Sequence, residues 1–191
     1  MKTLMMLLLT QATLLMACNS GGKNSVEKAD STNQANLDTA LNRNAVVIDE
    51  KSSEFLVRVA NSGMAEAAIT GAAQDNAVYA DVKSLAAMLY HDHSALNEQV
   101  KALAGQKNVV LPAVMSEEKQ KEVDALQKNT GKNFDREFIS AMIKNHEAGI
   151  ELCSNAMLDT KDPEVRSFAD KTLPTLRAHL DSAKTIQKRH W

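Results

Sequence analysis

The chain has 191 residues, of which 24% are charged and 4% aromatic, and its formal net charge at pH 7 is −2. This near balance, without any basic tract, excludes the electrostatic footprint that nucleic-acid binding requires. Beyond a polar N-terminal region, residues 49–191 are sufficient for one domain.

The first 17 residues predict a secretory signal peptide. Lys2 precedes an apolar run from Leu4 to Ala17, which is too short to span a membrane as a helix. The run ends in Leu15-Met16-Ala17-Cys18, which is similar to the bacterial lipobox. That resemblance implies that Cys18 is diacylated and becomes the mature N-terminus, so that the lipid anchors the protein. The alternative is an ordinary cleaved signal followed by a chance cysteine.

Residues 18–48 are rich in Asn, Ser, Gly, Lys and Thr and have few large apolar side chains. Such a segment buries too little surface to order itself. We therefore predict a lipidated cysteine followed by a disordered tether with a reach of about 30 Å. The predicted location is the cell envelope, at the outer membrane, facing the periplasm or the cell surface.

The domain at 49–191 carries apolar residues at three- and four-residue spacing and lacks strand-like alternation, so it is predicted to be all-α. Ser116 and Asp162 are predicted N-caps, and Pro163 follows Asp162 at the first helical position. The predicted helices cover residues 52–74, 78–104, 116–129, 134–158 and 162–188. Four of them are long enough for a four-helix bundle. The connection between the second and third long helices is long enough to cross the bundle, which predicts ferritin-like topology with a short extra helix in the crossover.

Each long helix places a polar residue on or beside its apolar face. These residues are Glu66, Asp92, His93, His146 and His179, and together they are candidate metal ligands. The alternative is that they form structural contacts, because a buried carboxylate or imidazole must be paired. In contrast, His91 is about 200° from His93 around the helix, so these two histidines cannot chelate one ion.

Depth along the bundle decides which of these residues could share an ion. With a crossover, Glu66, Met142, His146 and His179 fall within about one turn of one level, and His93 lies one to two turns away. With simple up-and-down topology, His93, Met142 and His179 are level instead.

The residue types favour a soft or borderline ion. Di-iron bundles need Glu-x-x-His on two helices, and the sequence contains no Glu-x-x-His. A set such as Met142, His146 and His179 suits copper or another transition metal. Cys153 lies on an apolar face, where its thiol pKa should rise, so it is a poor candidate nucleophile.

Four stretches, taken in order, resemble the bacterial family of domain of unknown function 4142. They are SEFLVRVANSGMAE (53–66), Tyr90-His91-Asp92-His93 with Leu96-Asn97, FDREFISAMIKNHEAGIELCSNA (134–156) and SFADKTLPTLRAHLDSA (167–183). The resemblance implies exported or outer-membrane proteins with a ferritin-like four-helix fold. It also implies that the marked polar positions are Glu66, Asp92, His93, Asp135, His146, Pro174 and His179.

A second resemblance is local. FDREFISAMIKNHEAGI is similar to the Phe-x-x-x-Met-x-x-x-His-His segment of a related family of exported helical proteins, some of which bind copper. Here Asn145 stands where that segment has its first histidine.

Two functions therefore remain open. The first is a lipid-anchored, non-catalytic binding or structural module whose protein or small-ligand partner is not indicated. The second is an exported copper-type metal-binding protein that uses the inward His, Met and carboxylate groups. A ferritin-type oxidoreductase is disfavoured by the missing Glu-x-x-His motifs, and nothing in the sequence specifies a catalytic residue.

Overall fold

The computed structural model describes residues 22–42 and 48–191, and every regular element in this part of the chain is an α-helix. The elements are α1 (Gly22–Asn42), α2 (Glu50–Asn76), α3 (Ala80–Gln106), α4 (Glu117–Gln127), α5 (Gly131–Asp159) and α6 (Pro163–His190). The predicted all-α class is confirmed, and the predicted signal peptide and Cys18 lie outside the described residues. None of the described helices is both long enough and apolar enough to cross a membrane.

Contacts at the two ends of the bundle define its topology. Packing is most extensive within the pairs α2–α3 and α5–α6, which form two antiparallel hairpins. At one end, Asp135 at the start of α5 accepts hydrogen bonds from the α2–α3 turn. At the other end, Lys107 after α3 forms an ion pair with Asp162 before α6. Helices α3 and α5 therefore run in the same direction and are joined by a connection that crosses the bundle and contains α4. This is the predicted ferritin-like crossover.

Three acidic or hydroxyl side chains begin helices as N-caps. Ser116 accepts a hydrogen bond from the Lys119 amide, and Asp162 accepts from the amides of Glu164 and Val165. Both caps confirm the sequence prediction. Asp49 caps α2 and also accepts hydrogen bonds from the Lys161 and Asp162 amides, so one carboxylate ties the start of α2 to the α5–α6 turn.

The apolar core is divided into two clusters, one toward each end of the bundle. One contains Ile69, Leu89, Phe138 and Met142, and the other contains Phe55, Val100, Cys153 and Leu176. Along every long helix, the inward polar residue lies between the segments that supply these clusters. The middle of the bundle is therefore a polar layer enclosed by apolar layers on both sides.

The prediction of a disordered tether is wrong for residues 22–42, which form α1 and pack against α2 and α4. Ala29 is buried against the cluster that contains Phe55. Asn33 holds the Val110 peptide with two hydrogen bonds: its amide donates to the carbonyl, and its oxygen accepts from the N–H. The low hydropathy of this segment suggested disorder, but Val26 and Ala29 pack against this cluster, and Ser25 also accepts hydrogen bonds from the Ala113 and Val114 amides.

The buried Asp135 carboxylate should be a principal stabilising group. It accepts hydrogen bonds from the Val78 amide at 3.0 and 3.1 Å and from the Tyr79 amide at 2.7 Å, immediately before α3. Because Asp135→Ala leaves these donors without their acceptor, we expect it to lower the free energy of unfolding by about 2–3 kcal/mol. Urea denaturation measures this value. Asp170→Ala, on the exposed face of α6, is the control and should be nearly neutral. Equal stability of the two variants would refute this role.

Candidate metal centre

Three histidines from three helices meet in the polar layer of the bundle. His93 comes from α3, His146 from α5 and His179 from α6, and all three are buried. His93 Nε2 lies 3.3 Å from His146 Nε2, and His146 Nε2 lies 3.3 Å from His179 Nδ1. One nitrogen from each ring falls within 4.8 Å of the other two. We call this group the histidine triad.

Hydrogen bonds behind the triad fix which nitrogens face its centre as acceptors. His146 Nδ1 lies 2.8 Å from the Met142 carbonyl, which can only accept, so Nδ1 carries the proton and Nε2 presents a lone pair. His179 Nε2 lies 3.0 Å from Asp92 Oδ2 and donates to it, which leaves Nδ1 with a lone pair in the neutral ring. With His179 in the neutral form that binds a metal, two acceptor nitrogens face each other at 3.3 Å with no hydrogen between them. A cation placed between them removes this repulsion.

Asp92 is the outer partner of His179 and also contacts the surface. Its Oδ1 accepts a hydrogen bond from His91 Nδ1 at 3.0 Å, while Oδ2 accepts from His179. The hydrogen bonds from His91 and His179 hold the pKa of Asp92 below its usual value, so this carboxyl is ionised at neutral pH. Carboxylates in this position orient a metal-binding imidazole and increase its basicity.

Burial keeps the triad in the form that binds metals. It lowers the pKa of His93 to about 3, and the neighbouring His146 and His179 lower it further, whereas the Asp92 charge opposes the shift. Burial also lowers the pKa of His146 to about 4. The hydrogen bond to the Met142 carbonyl opposes this shift, and the neighbouring His179 adds to it. Both rings are therefore neutral at pH 7, and neutral imidazole is the ligand that transition metals require.

The spacing of the nitrogens fits a metal ion. A tetrahedral ion with bonds of about 2.0–2.1 Å separates its ligand nitrogens by about 3.3–3.4 Å. The His93–His146 and His146–His179 nitrogen pairs, both at 3.3 Å, already have this separation. Three protein ligands would leave a fourth position open. The third pair lies within 4.8 Å, so small rotations of the rings would bring all three nitrogens to one ion.

A cavity of 320 Å³ borders the triad on one side. His93 and His146 line it together with Glu66 and Asn145. The Glu66 side chain is buried, its Oε2 has no hydrogen-bond partner among the described residues, and its carboxyl forms a hydrogen bond with the Asn145 side chain. Burial raises the pKa of Glu66 to about 7, against opposing effects of Asn145 and Lys119. A polar group that lacks a partner in such a cavity marks a place where a charged or polar ligand would fit.

The predicted ligand positions take different places in the structure. The triad unites His93, His146 and His179, Asp92 stands behind His179, and Glu66 lies in the neighbouring cavity. Met142 offers its carbonyl to His146, and its side chain belongs to an apolar cluster. The predicted displacement of His93 in a crossover bundle is wrong. Since α3 begins two residues later and α5 three residues earlier than predicted, His93 and His146 differ in depth by about 3 Å, which imidazole rings can bridge.

Sequence reasoning did not assign roles to Asn97 and Asn145. Asn97 donates to the Gly63 carbonyl at 3.0 Å, and a Cβ at Gly63 would lie 1.9 Å from Asn97 Oδ1. This close approach of α2 and α3, one turn from His93, places Glu66 beside the triad. Asn145 was recognised as a missing histidine, whereas its side chain contacts Glu66. The signal available in the sequence was the glycine at an otherwise well-formed helix centre.

Cys153 lines the same cavity but is not activated there. Burial raises the pKa of its thiol to about 11, as the sequence predicted, so it is protonated at neutral pH. No basic group contributes to this shift. Within the described residues, nothing therefore prepares Cys153 to act as a nucleophile.

Comparison with solved structures shows the same fold in other proteins. A DUF305 fragment from Deinococcus radiodurans has a TM-score of 0.67 at 18% identity and is matched over 75% of this chain and 99% of its own. CopM in the Cu(II)-bound form has a TM-score of 0.64 at 23% identity, with 73% and 97% coverage. CopM in the Cu(I)-bound form has a TM-score of 0.62 at 22% identity, with the same coverage. At these identities the likeness establishes the helical-bundle fold.

A search of the curated proteins finds no match to the chain. The sequence profile described as "Domain of unknown function (DUF4142)" matches residues 25–186, which include α1 after its first turn and every residue of the triad. This match covers most of the chain and agrees with the resemblance seen in the sequence. The protein belongs to the DUF4142 family.

Proposed function

We propose that the protein binds one copper-type transition-metal ion at the histidine triad. The observation that carries this proposal is the pair of acceptor nitrogens on His146 and His179, which face each other at 3.3 Å with their protons held elsewhere. A purely structural cluster of imidazoles would place a donor opposite each acceptor, because an unpaired buried polar atom is costly. The convergence of His93 Nε2 on these two acceptor nitrogens is instead the arrangement of a metal site.

Copper is the ion that the ligand set favours. Imidazole nitrogens suit copper and zinc, and the affinity order of divalent ions places Cu²⁺ above Zn²⁺ at a given nitrogen site. Because Cys153 is protonated, it provides no thiolate ligand that would favour a different metal. The similar fold of CopM, solved with Cu(II) and with Cu(I), supports the same assignment here. The local Phe-x-x-x-Met-x-x-x-His pattern ending in His146 gives further support.

The proposed activity is binding and not turnover. Of the groups that line the cavity beside the triad, the Cys153 thiol is protonated at neutral pH, and burial raises the pKa of the Glu66 carboxyl to about 7. The di-iron pattern Glu-x-x-His is absent from the sequence. We therefore propose that the protein sequesters or carries the ion.

Metal titration of the lipid-free chain, residues 19–191, tests this function. We expect one equivalent of Cu⁺ or Cu²⁺ to bind with sub-micromolar affinity, and Zn²⁺ to bind the same site more weakly. Competition with a chelator of known affinity measures both constants. Failure to bind either copper ion at micromolar concentration would leave the triad as a structural cluster and end the proposal.

We further propose that this binding takes place in the cell envelope. The support is the signal-like run from Leu4 to Ala17 and the lipobox-like cysteine at position 18, both of which lie outside the described residues. Membrane fractionation of cells that express the full chain should recover the protein with the membranes, and Cys18→Ser should release it. Equal membrane recovery of the two forms would contradict the lipid anchor.

A further inference from the structure

Glu66 is a buried carboxyl whose charge has no ion-pair partner within the described structure. Only 6% of the residue is exposed, and its Oε2 accepts no hydrogen bond from the described residues. The group that does contact it, the Asn145 side chain, is neutral. Lys119 acts on Glu66 through space, but its ammonium is already paired with Glu122 at 2.8 Å. A carboxylate in such a place is costly unless a cation arrives beside it.

An ion in the histidine triad would supply that cation. His93 and His146 line the same cavity as Glu66, so the carboxyl and the ion would face one space, whose lining also includes Arg58, Glu118 and Lys119. Imidazole binds a metal ion as the neutral ring, so the three ligands of the triad add no charge to that of the ion. A monovalent ion would then place one uncompensated positive charge in the bundle and a divalent ion would place two.

Asp92 compensates this charge less effectively. Its side chain is 36% exposed and also accepts a hydrogen bond from the solvent-exposed His91. Water screens a charge in that position, whereas the Glu66 side chain is buried. The two carboxylates therefore have different roles: Asp92 orients His179, and Glu66 faces the space into which the ion's field extends.

We propose that Glu66 is the charge-compensating residue of the metal centre and that it determines the preference of the triad for divalent over monovalent ions. This inference rests on the proposed function. The geometry that carries it is the pairing of an unpartnered carboxylate oxygen with a neutral three-nitrogen site across one cavity. Glu66 need not be a ligand, because the Coulomb interaction of a buried charge acts over several ångströms.

The proportionality of Coulomb energy to ionic charge gives a quantitative signature. Loss of the Glu66 charge should lower the affinity for a divalent ion by the square of the factor that applies to a monovalent ion. If Ag⁺ binding weakens about 10-fold, Zn²⁺ and Cu²⁺ binding should weaken about 100-fold. The Cu²⁺/Cu⁺ potential should then rise by about 59 mV for each tenfold difference between the two ions. A residue that only packs the cavity would weaken all ions alike.

Glu66→Gln tests the inference because it keeps the shape of the side chain and removes its charge. Affinities for Zn²⁺, Cu²⁺ and Ag⁺ are measured by chelator competition at about pH 8, above the pKa of the carboxyl. Glu137→Gln is the matched control, because Glu137 is an exposed carboxylate on α5 that neither acts on Glu66 nor lines the cavity. We expect the ratio of divalent to monovalent affinity to fall about tenfold in Glu66→Gln and to remain unchanged in Glu137→Gln.

An equal loss for all ions, or no loss, in Glu66→Gln would overturn the inference and leave the proposed function intact. Absence of binding in the unaltered protein would overturn both. Asn145→Asp offers an independent measurement, since it adds a negative charge beside Glu66, and it should raise the divalent-to-monovalent ratio. If Glu66→Gln does not fold, Asn145→Asp still tests the inference. A divalent-to-monovalent affinity ratio that stays the same or falls in Asn145→Asp would contradict it.

Discussion

Replacement of His146 by alanine should abolish metal binding by the bundle. His146 Nε2 is the central atom of the triad, at 3.3 Å from a nitrogen of each of the other two histidines. Without it, His93 and His179 cannot bridge one ion with the observed geometry. We expect the affinity for copper to fall by much more than the roughly 100-fold that loss of an outer partner costs. Isothermal titration calorimetry measures the change.

His91→Ala is the matched control for this variant. His91 is the most exposed histidine near the site, with 84% of its side chain accessible, and it contacts Asp92 but no member of the triad. Its removal should change copper affinity by less than tenfold. Circular dichroism should show that His146→Ala keeps its helices, because the neighbouring apolar clusters are unaltered. Retention of stoichiometric, tight copper binding in His146→Ala would show that the ion binds elsewhere.

Acid should destabilise the metal-free protein strongly below about pH 6.5. The pKa of His93 is lowered to about 3 and that of His146 to about 4, whereas both titrate near 6.5 in the unfolded chain. Between these values the unfolded state binds more protons than the folded state, so stability falls as the pH falls. The two histidines together would withdraw about 6 kcal/mol by pH 4, which is comparable with the whole stability of a domain.

Glu66 opposes this trend over part of the range. Its pKa of about 7 lies above the unfolded value of 4.5, so the folded state binds the extra proton between those pH values, and this contribution rises as the pH falls. Two histidines against one carboxyl still leave a net loss of about 1.4 kcal/mol per pH unit below pH 6. Thermal unfolding of the metal-free chain from pH 7 to pH 4 measures the slope. A melting temperature that stays constant over this range would contradict the buried, neutral triad.

The sequence was informative about the fold because apolar periodicity and caps are local signals. Ser116 and Asp162 identified helix starts, and the length of the connection before α5 indicated the crossover. The hydrogen bonds of Asp135 could not be predicted from local sequence, because its partners Val78 and Tyr79 are more than 50 residues away along the chain. The order of helix α1 could not be predicted for the same reason, because Ala29 and Asn33 pack against residues that later segments of the chain supply.

The candidate site was predictable in its residues and not in its arrangement. Helical spacing placed Glu66, His93, His146 and His179 on inward faces, which the structure confirms by their burial. It could not show that His93 reaches the other two histidines, because an error of a few residues at helix ends shifts depth by a full turn. Helical spacing also could not distinguish metal ligands from the residues that support them. Asp92 and Glu66 differ in the groups that they face, and their spacing along the helices does not show this.

Anomalous diffraction from a crystal of the copper-loaded protein tests the central claim most directly. We expect one strong copper peak at about 2.0–2.1 Å from His93 Nε2, His146 Nε2 and His179 Nδ1. The Met142 carbonyl and the Asp92 carboxylate should remain hydrogen-bonded to the opposite nitrogens of His146 and His179. The proposed metal site would be contradicted if no copper peak lay among these three rings. Copper bound only at surface histidines such as His91 would be one such result.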